Sequence, residues 1–334
     1  MSRVVRFHHP VLIDLMREMN NPIKFSVTVP AYKAQFLKEC IDSILAQTYQ
    51  NFELIIVNDA SPQDLDSIVA QYHDPRIRYY KNKVGFGAEH VVGNWNKCLE
   101  YATGDYLICM GDDDKLLPNC LEEYVKLIDL IPGLDLYHGM TEIINQESKI
   151  ISIQEPRPLW ESAYSMLWWR WCGRSQYIGD WLFKTESLKK ENGFYSTSFA
   201  WGADDASAFL SAFKKGVANT FKPVFQYRIS NLTISKNTDN VLEKIASKNI
   251  IFDNYKNLID KQPTDSVDKV YWSLISKNLD KYHEKFISYD ISEDIISHPF
   301  HIGKWIFKIG SNNITKRAFL YSVFLCMKYL LRLR

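Results

Sequence analysis

The chain has 334 residues, of which 46% are hydrophobic, 14% aromatic and 24% charged, and its 40 basic and 39 acidic side chains leave a formal charge of +1. That length is ample for a large buried core, and the composition excludes intrinsic disorder, a collagen-like repeat and a disulfide-stapled mini-protein. A near-neutral total also argues against a dedicated nucleic-acid binder, whose phosphate contacts need clustered Lys and Arg.

From about residue 24 strand and helix patterns alternate. Residues 24–29 (KFSVTV) form a β-rich run stopped by Pro30, and Phe36, Cys40, Ile41, Ile44 and Leu45 then recur at helical spacing. Residues 52–57 (FELIIV) read as a continuous apolar strand, buried on both faces of a parallel sheet. Ser61-Pro62 in the following turn reads as the N-cap and first residue of a helix. Residues 77–80 are a third strand, 95–102 a helix, and 105–110 (DYLICM) a fourth strand running into Gly111-Asp112-Asp113-Asp114. This alternation predicts βαβ units and a doubly wound sheet, whose ligands bind at the carboxyl ends of the strands. Beyond Pro132 the pattern suggests short strands at 134–138 and 141–153, an aromatic helix over 162–171 and a helix over 206–213 stopped by Gly216. Residues 240–290 read as polar helices.

Cys40, Cys98, Cys109, Cys120, Cys172 and Cys326 are widely spaced without a C-x-x-C pair, the pattern of free thiols in a reducing cytoplasm. His298 and His301 lie three apart, but Pro299 between them is expected to spoil a helical ligand pair, so no zinc site is expected. Arg3 and Arg6 precede an apolar run broken by Asp14 and Arg17, which does not read as a signal peptide. No stretch reaches the roughly 18–20 apolar residues of a membrane span.

Three polar clusters could do chemistry. Asp112, Asp113 and Asp114 repel one another, so a fold that assembles them at the end of a buried strand is expected to supply a cation; hard oxygen ligands suit Mg²⁺ or Mn²⁺. A solvated acidic turn is the plainer alternative. Asn58-Asp59-Ala60-Ser61, also at a strand end, offers a carboxylate to a ribose or base N–H, or simply an Asx-turn. Asp204-Asp205 ahead of a helix could favour its dipole or supply a general base for a substrate hydroxyl. Gly85-Phe86-Gly87 lacks the third glycine of a dinucleotide fingerprint.

The order VTVPAYK, FELIIVNDAS, GNWNKCLEYATGDYLICMGDDDKLLP, GDWLFKTESLKKENGF, WGADDASAFLSAFKKG and YRIS resembles glycosyltransferase family 2, over about residues 24–235. The resemblance implies an inverting nucleotide-sugar transferase with the GT-A fold: a mixed, mainly parallel α/β sheet flanked by helices, with a helical C-terminal extension. It implies an N-terminal extension over 1–23, a nucleotide-binding half over 24–130, an acceptor-binding half over 131–235, and a helical region over 236–334. Pro30, Ala31 and Tyr32 would touch the nucleotide, and Asp59 would read the base or its sugar, with Asn58 replacing the family's preceding acid. Asp112 and Asp114 would frame the metal on the diphosphate, with Asp113 near the donor sugar and Gly111 in the place of the usual first acid. Asp205 falls on the general base, beside Asp204; Trp201, Gly202 and Asp204 would meet the acceptor. Trp95 stands where many members carry Arg, in an NWN string whose Asn96 would touch the donor, so phosphate charge would fall to the metal, Lys83 or Arg228. The implied ligands are a nucleoside-diphosphate sugar, a UDP-sugar foremost, and a glycan or lipid-linked glycan acceptor. Of the tryptophans at 160–171, 181 and 201, more are expected in the core than on a sugar platform.

The formal charge conceals an asymmetry: residues 1–230 carry 24 basic and 28 acidic side chains, net −4, whereas 231–334 carry 16 and 11, net +5. In residues 318–334 Leu320, Val323, Phe324, Met327, Leu330 and Leu331 share a helical face beside Lys316, Arg317, Lys328, Arg332 and Arg334. That face could dock on the chain itself, or lie on the anionic inner leaflet of the plasma membrane, making a cytoplasmic protein peripheral. A sugar-phosphate nucleotidyltransferase and a carbohydrate-binding protein with a dead site are the alternative functions.

Overall fold

The structure is a computed structural model that describes residues 22–230 and 240–332. The residues before Pro22, including Arg3, Arg6, Asp14 and Arg17, and the terminal Arg334 lie outside the described residues. A mixed sheet of ten strands organises the first two-thirds of the chain. Its first half is parallel: β1 (Phe25–Ala31) pairs with β2 (Phe52–Asn58) on one side and β4 (Tyr106–Cys109) on the other, and β2 pairs with β3 (Ile77–Lys81). Helices α1 (Leu37–Leu45), α2 (Leu65–Val69) and α3 (Val91–Tyr101) make the crossovers.

The continuous apolar runs are buried on both faces because alternate residues feed two cores. Ile55 and Val57 enter a core with α3, whereas Leu54 and Ile56 enter a second core with α1 and with α4 (Cys120–Leu130). Each of these four side chains is fully buried, contributing roughly 1.5–3 kcal/mol of hydrophobic stabilisation.

The second half departs from a parallel arrangement. Strand β6 (Leu136–Ile144) forms a hairpin with β7 (Ile150–Ile153) and pairs in parallel with the long β10 (Val217–Arg228). Between β4 and β6 runs β9 (Trp181–Lys184), antiparallel to both. It is entered from a short 3₁₀ turn at Ile178–Asp180 and not from a crossover helix. Two two-residue strands, β5 (Lys115–Leu116) and β8 (Trp160–Glu161), pair antiparallel with β10. Helices α5 (Ala163–Trp171), α6 (Thr185–Lys190) and α7 (Ala203–Ala212) complete this part.

Two local expectations change. The N-cap of α2 is Asp64, whose carboxylate accepts from Ser67 N–H, while Ser61 Oγ donates to the Tyr32 carbonyl. Helix α7 starts at Ala203, three residues earlier than its apolar spacing suggested, so Asp204 and Asp205 occupy its first turn.

The C-terminal part is helical: α8 (Val241–Leu258), α9 (Ser266–Ser297), α10 (His301–Lys308) and α11 (Lys316–Arg332). Helices α8 and α9 pack on the first core through residues such as Phe252, Tyr255 and Ile275. They also build a third core with α11 around Ile287, Ile291, Trp305, Ala318 and Phe319. Among the described residues no helix is long and apolar enough to cross a membrane.

Candidate active site

The parallel register of β1 with β4 sets Thr28 beside Cys109, so the ends of both strands open together. The acidic run leaves β4 there and folds back onto β1. Asp112 Oδ2 accepts from the backbone N–H groups of Tyr32 and Lys33, both at 2.7 Å. The Lys33 ammonium lies 3.3 Å from Asp112 and 2.6 Å from Asp113. Asp114 Oδ1 accepts from the N–H of Arg228 at 2.9 Å. A side chain at Gly111 would place its Cβ 2.9 Å from carboxylate oxygens of both Asp113 and Asp114. A side chain here, where the family resemblance would put the first acid, would displace those two carboxylates from this arrangement.

Arg228, only 1% exposed, is the frame of this loop and not a free phosphate ligand. Its guanidinium donates to the carbonyls of Asp113, Asn145 and Gln146, to Ser148 Oγ and to Glu39, and it stacks 4.1 Å above Phe36. Burial, partly offset for Asp112 by the Lys33 charge, raises the pKa of the Asp112 carboxyl, and burial with the Asp113 charge raises that of Asp114. Among the described residues Lys33 is the one cation ion-paired to the run. Three carboxylates against one ammonium leave this site short of positive charge. Lys33 itself was missed in the sequence; its only signal is its place after the Pro30-Ala31-Tyr32 strand end.

Asp59 follows β2, tied to β1 by its N–H donating to the Ala31 carbonyl. Its carboxylate accepts from the N–H groups of Phe86 and Gly87 at 2.8 and 3.0 Å and from Asn82 at 3.0 Å. The Gly85-Phe86-Gly87 loop, no dinucleotide fingerprint, is thus the cap of Asp59. Gly85 passes so close that a Cβ there would sit 2.4 Å from the Asp59 carbonyl oxygen. Asn58 is structural: its side chain accepts from Ser61 N–H and donates to Tyr79.

Two further expected donor ligands, Lys83 and Asn96, and Trp95 beside them make no hydrogen bond or ion pair to these carboxylates among the described residues. Lys83 is exposed on the cap loop, with no ion pair found among the described residues. Asn96 spends its carbonyl oxygen on Phe194 N–H. Trp95, in the place of the family's Arg, is buried against Phe194 in an edge-to-face contact, because the first core needs its bulk there.

The carboxylate pair lies in the first turn of α7, after Gly202, whose φ of 74° lets the chain turn into the helix. Both oxygens of Asp205 lie 3.0 Å from Nε of Arg170, and Gln176 Nε2 donates to Oδ1 at 2.7 Å. Arg170 comes from α5 and Gln176 from the loop beyond it, so no local spacing advertised either residue. Burial, then the charge of Asp205, raises the pKa of the Asp204 carboxyl. Trp201 is buried and stacked on Phe199, 4.7 Å between ring centroids, which makes it a corner of the fold more than an open sugar platform. The stacked pair Tyr177–Tyr227, 3.7 Å between centroids, connects the two acidic groups: Tyr227 precedes Arg228, whose N–H donates to Asp114, and Tyr177 follows Gln176, which donates to Asp205. Beside this pair a groove of about 330 Å³ is lined by Ile143, Ile151, Ile153, Gln154, Tyr177 and Ile229, among others.

Residues 26–200 match the model of glycosyl transferase family 2. An uncharacterized glycosyltransferase of Rickettsia typhi is 32% identical over 134 residues, 39% of this chain and 40% of that protein. The UDP-Glc:alpha-D-GlcNAc-diphosphoundecaprenol beta-1,3-glucosyltransferase WfgD of Escherichia coli is 30% identical over 135 residues, 40% of this chain and 52% of that one. The matched part therefore spans only about two-fifths to one-half of these relatives. Among solved structures, S. aureus TarS 1–349 in complex with UDP-GlcNAc superposes with a TM-score of 0.59 at 14% identity, over 82% of this chain and 88% of that one. Mannosyltransferase PcManGT from Pyrobaculum calidifontis, in complex with GDP-Man and Mn²⁺, gives a TM-score of 0.52 at 15% identity, over 95% and 94%. These two likenesses establish a shared GT-A architecture. With its family model matched over more than half its length, the chain belongs to glycosyl transferase family 2.

Proposed function

We propose that the protein transfers a sugar from a nucleoside-diphosphate donor to an acceptor hydroxyl in a single inverting displacement. The observation that carries this reading is the charge-deficient trio Asp112–Asp114 at the joined ends of β1 and β4, one strand from Asp59 and connected to a second carboxylate pair through Tyr177 and Tyr227. Asp112 and Asp114 would hold Mg²⁺ or Mn²⁺, which when bound supplies the positive charge that stabilises a departing diphosphate. Lys33 would add a second positive charge beside it. Asp59, with the strand end Pro30-Ala31-Tyr32, would orient the nucleotide, after its carboxylate exchanges the cap-loop N–H groups for those of the ligand. TarS with UDP-GlcNAc and PcManGT with GDP-Man support a nucleotide-sugar donor of this kind.

The Asp204–Asp205 pair would supply the base. Arg170 and Gln176 fix Asp205, the expected base, and burial with the charge of Asp205 raises the pKa of Asp204 beside it. One displacement with deprotonation of the attacking hydroxyl inverts the anomeric centre. The groove from Ile229 to Gln154 would receive the acceptor, and the name of WfgD supports a lipid-linked glycan in surface polysaccharide synthesis as its class.

We assign a lipid-facing role to the C-terminal corner as well. Leu320, Phe324, Met327 and Leu331 are exposed at helical spacing along α11, which also carries Lys316 and Lys328, and Phe307 of α10 is 90% exposed between Lys304 and Lys308; such faces are suited to anionic lipid.

Incubation of UDP-, GDP- and dTDP-sugars with a lipid-linked glycan acceptor, with and without Mn²⁺, tests the reaction. Nucleoside diphosphate and an inverted glycoside should form together. Release of pyrophosphate would point to nucleotidyl transfer, and the absence of any turnover to a binding protein.

A further inference from the structure

We propose that the corner between α9 and α10 is a second metal site, for a zinc-like cation held by Asp294, His298 and His301. Pro299 does end helix α9, and the turn it creates is what gathers the two histidines. His298 follows the last residue of α9 and donates its N–H to the Asp294 carbonyl at 2.8 Å; His301 opens α10 and donates its N–H to the His298 carbonyl at 2.9 Å. The two rings stack, 4.8 Å between centroids. Both present Nδ1 to one carboxylate: His301 Nδ1 lies 3.1 Å from each Asp294 oxygen, and His298 Nδ1 lies 3.7 Å from Oδ1. One ligand atom from each of the three residues lies within 4.8 Å of the others.

A hydrogen bond accounts for only part of this arrangement. His301 suffices to satisfy Asp294, and 3.7 Å is too long for His298 to donate. In a tetrahedral site with metal–ligand distances near 2.0–2.1 Å, donor atoms are about 3.3 Å apart. Small rotations of the imidazoles, which are 47% and 41% exposed, close the set to that spacing. The carboxylate is already oriented from behind: Asp294 is 2% exposed, and the buried Trp305 indole N–H donates to its Oδ2 at 2.6 Å. A buried donor that fixes a ligating carboxylate is the supporting shell of a metal site. Two imidazoles, one carboxylate and an outward position for water suit Zn²⁺, whereas Mg²⁺ and Mn²⁺ prefer oxygen donors. The ion would pin α9 to α10 and, through Trp305, steady the third core.

The test is zinc titration of the full chain, with Mg²⁺ in excess to occupy oxygen sites, on wild type, His298→Gln/His301→Gln and Asp112→Asn/Asp114→Asn. Wild type and the Asp112/Asp114 variant should bind one zinc per chain and gain thermal stability with it. The histidine variant should bind at least tenfold more weakly and lose that gain. Co²⁺ should give the intense visible absorption of a four-coordinate site in wild type and in the Asp112/Asp114 variant, and not in the histidine variant. His298→Gln alone removes no hydrogen bond to Asp294, and keeps the test valid should the double variant unfold; it too should weaken zinc binding. Zinc affinity unchanged in the histidine variants, its loss in the Asp112/Asp114 variant, or no saturable zinc in wild type would each overturn the assignment.

Discussion

Replacing Asp205 and Asp204 by asparagine, one at a time, should separate stability from turnover. Asp205 faces Arg170 at 3.0 Å through both oxygens and Gln176 at 2.7 Å. Asp205→Asn keeps the shape but leaves the guanidinium without its counter-charge. Such a loss costs about 3–5 kcal/mol at a fully buried pair. Arg170 and Asp205 keep 28% and 21% of their side-chain surface in solvent, so a loss of about 1–3 kcal/mol is expected once screening is allowed for. Asp204 carries the opposite sign. Its folded pKa is raised, by burial first and by Asp205 second, so the folded chain holds that proton more tightly than the unfolded one. Wild type therefore loses stability as pH climbs from the ordinary carboxyl range through the raised value, and Asp204→Asn escapes that loss. A tenfold difference in proton affinity between the folded and unfolded chain corresponds to about 1.4 kcal/mol; a gain of about 1–2 kcal/mol is expected at pH 8, vanishing below about pH 4. Both variants should lower kcat by roughly 10²–10⁴, which is about 3–5 kcal/mol of barrier. Thermal unfolding from pH 4 to 8, beside steady-state kinetics, reads all of this. A pH-independent offset for Asp204→Asn, or a stability loss matching that of Asp205→Asn, would refute the electrostatic argument. An unimpaired kcat in Asp204→Asn would leave Asp205 as the base by itself.

Chelation should abolish nucleoside diphosphate release, and Mg²⁺ or Mn²⁺ should restore it; Asp114→Asn should fail to recover under the same addition. Arg228→Met should lower stability by about 1–3 kcal/mol, measured by urea unfolding, because the carbonyls of Asp113, Asn145 and Gln146 and the half-exposed Glu39 lose their donor. For the tail, truncation is a poor test, since Ala318, Phe319 and Cys326 of α11 help close the third core. Substituting Leu320, Phe324 and Leu331 by Glu spares that face and should release the protein from vesicles of anionic lipid, with donor hydrolysis kept; full retention in a sedimentation assay would remove the membrane role.

What the sequence made legible was whatever depends on neighbours in the chain. The FELIIV strand and the acidic run after DYLICM announce themselves because a strand buried on both faces is a continuous apolar run that must end where its polar residues begin. Partners supplied by tertiary packing leave no such mark. Arg170 precedes its carboxylate by 35 residues, and Lys33 is one lysine among many until the β1–β4 register brings Asp112 to it. In α11 the apolar stripe read from the sequence and the docked face differ: Leu320, Phe324 and Leu331 are exposed, whereas Ala318, Phe319, Ser322 and Cys326 are buried. Small side chains let α11 approach α9 closely, where Cys326 meets the Ser292 carbonyl and Ser288 the Ala318 carbonyl, and hydropathy alone does not measure closeness of fit.

The two acidic groups illustrate the same division, and their difference constrains the chemistry. Asp205 is neutralised within the fold by Arg170 and so is already fixed before any ligand arrives. Asp112, Asp113 and Asp114 share one ammonium, and the raised pKa of Asp112 and Asp114 reflects burial of negative charge that this ammonium does not fully offset. A ligand bringing its own negative charge, such as a diphosphate, is repelled from that end unless a cation accompanies it. Order of binding follows: cation and donor should bind interdependently at the trio, each tightening the other, whereas acceptor binding beside Asp205 should be far less sensitive to the cation. Donor affinity that proved equal with and without Mn²⁺ would mean that Lys33 alone balances the trio, and the case for a metal there would fall.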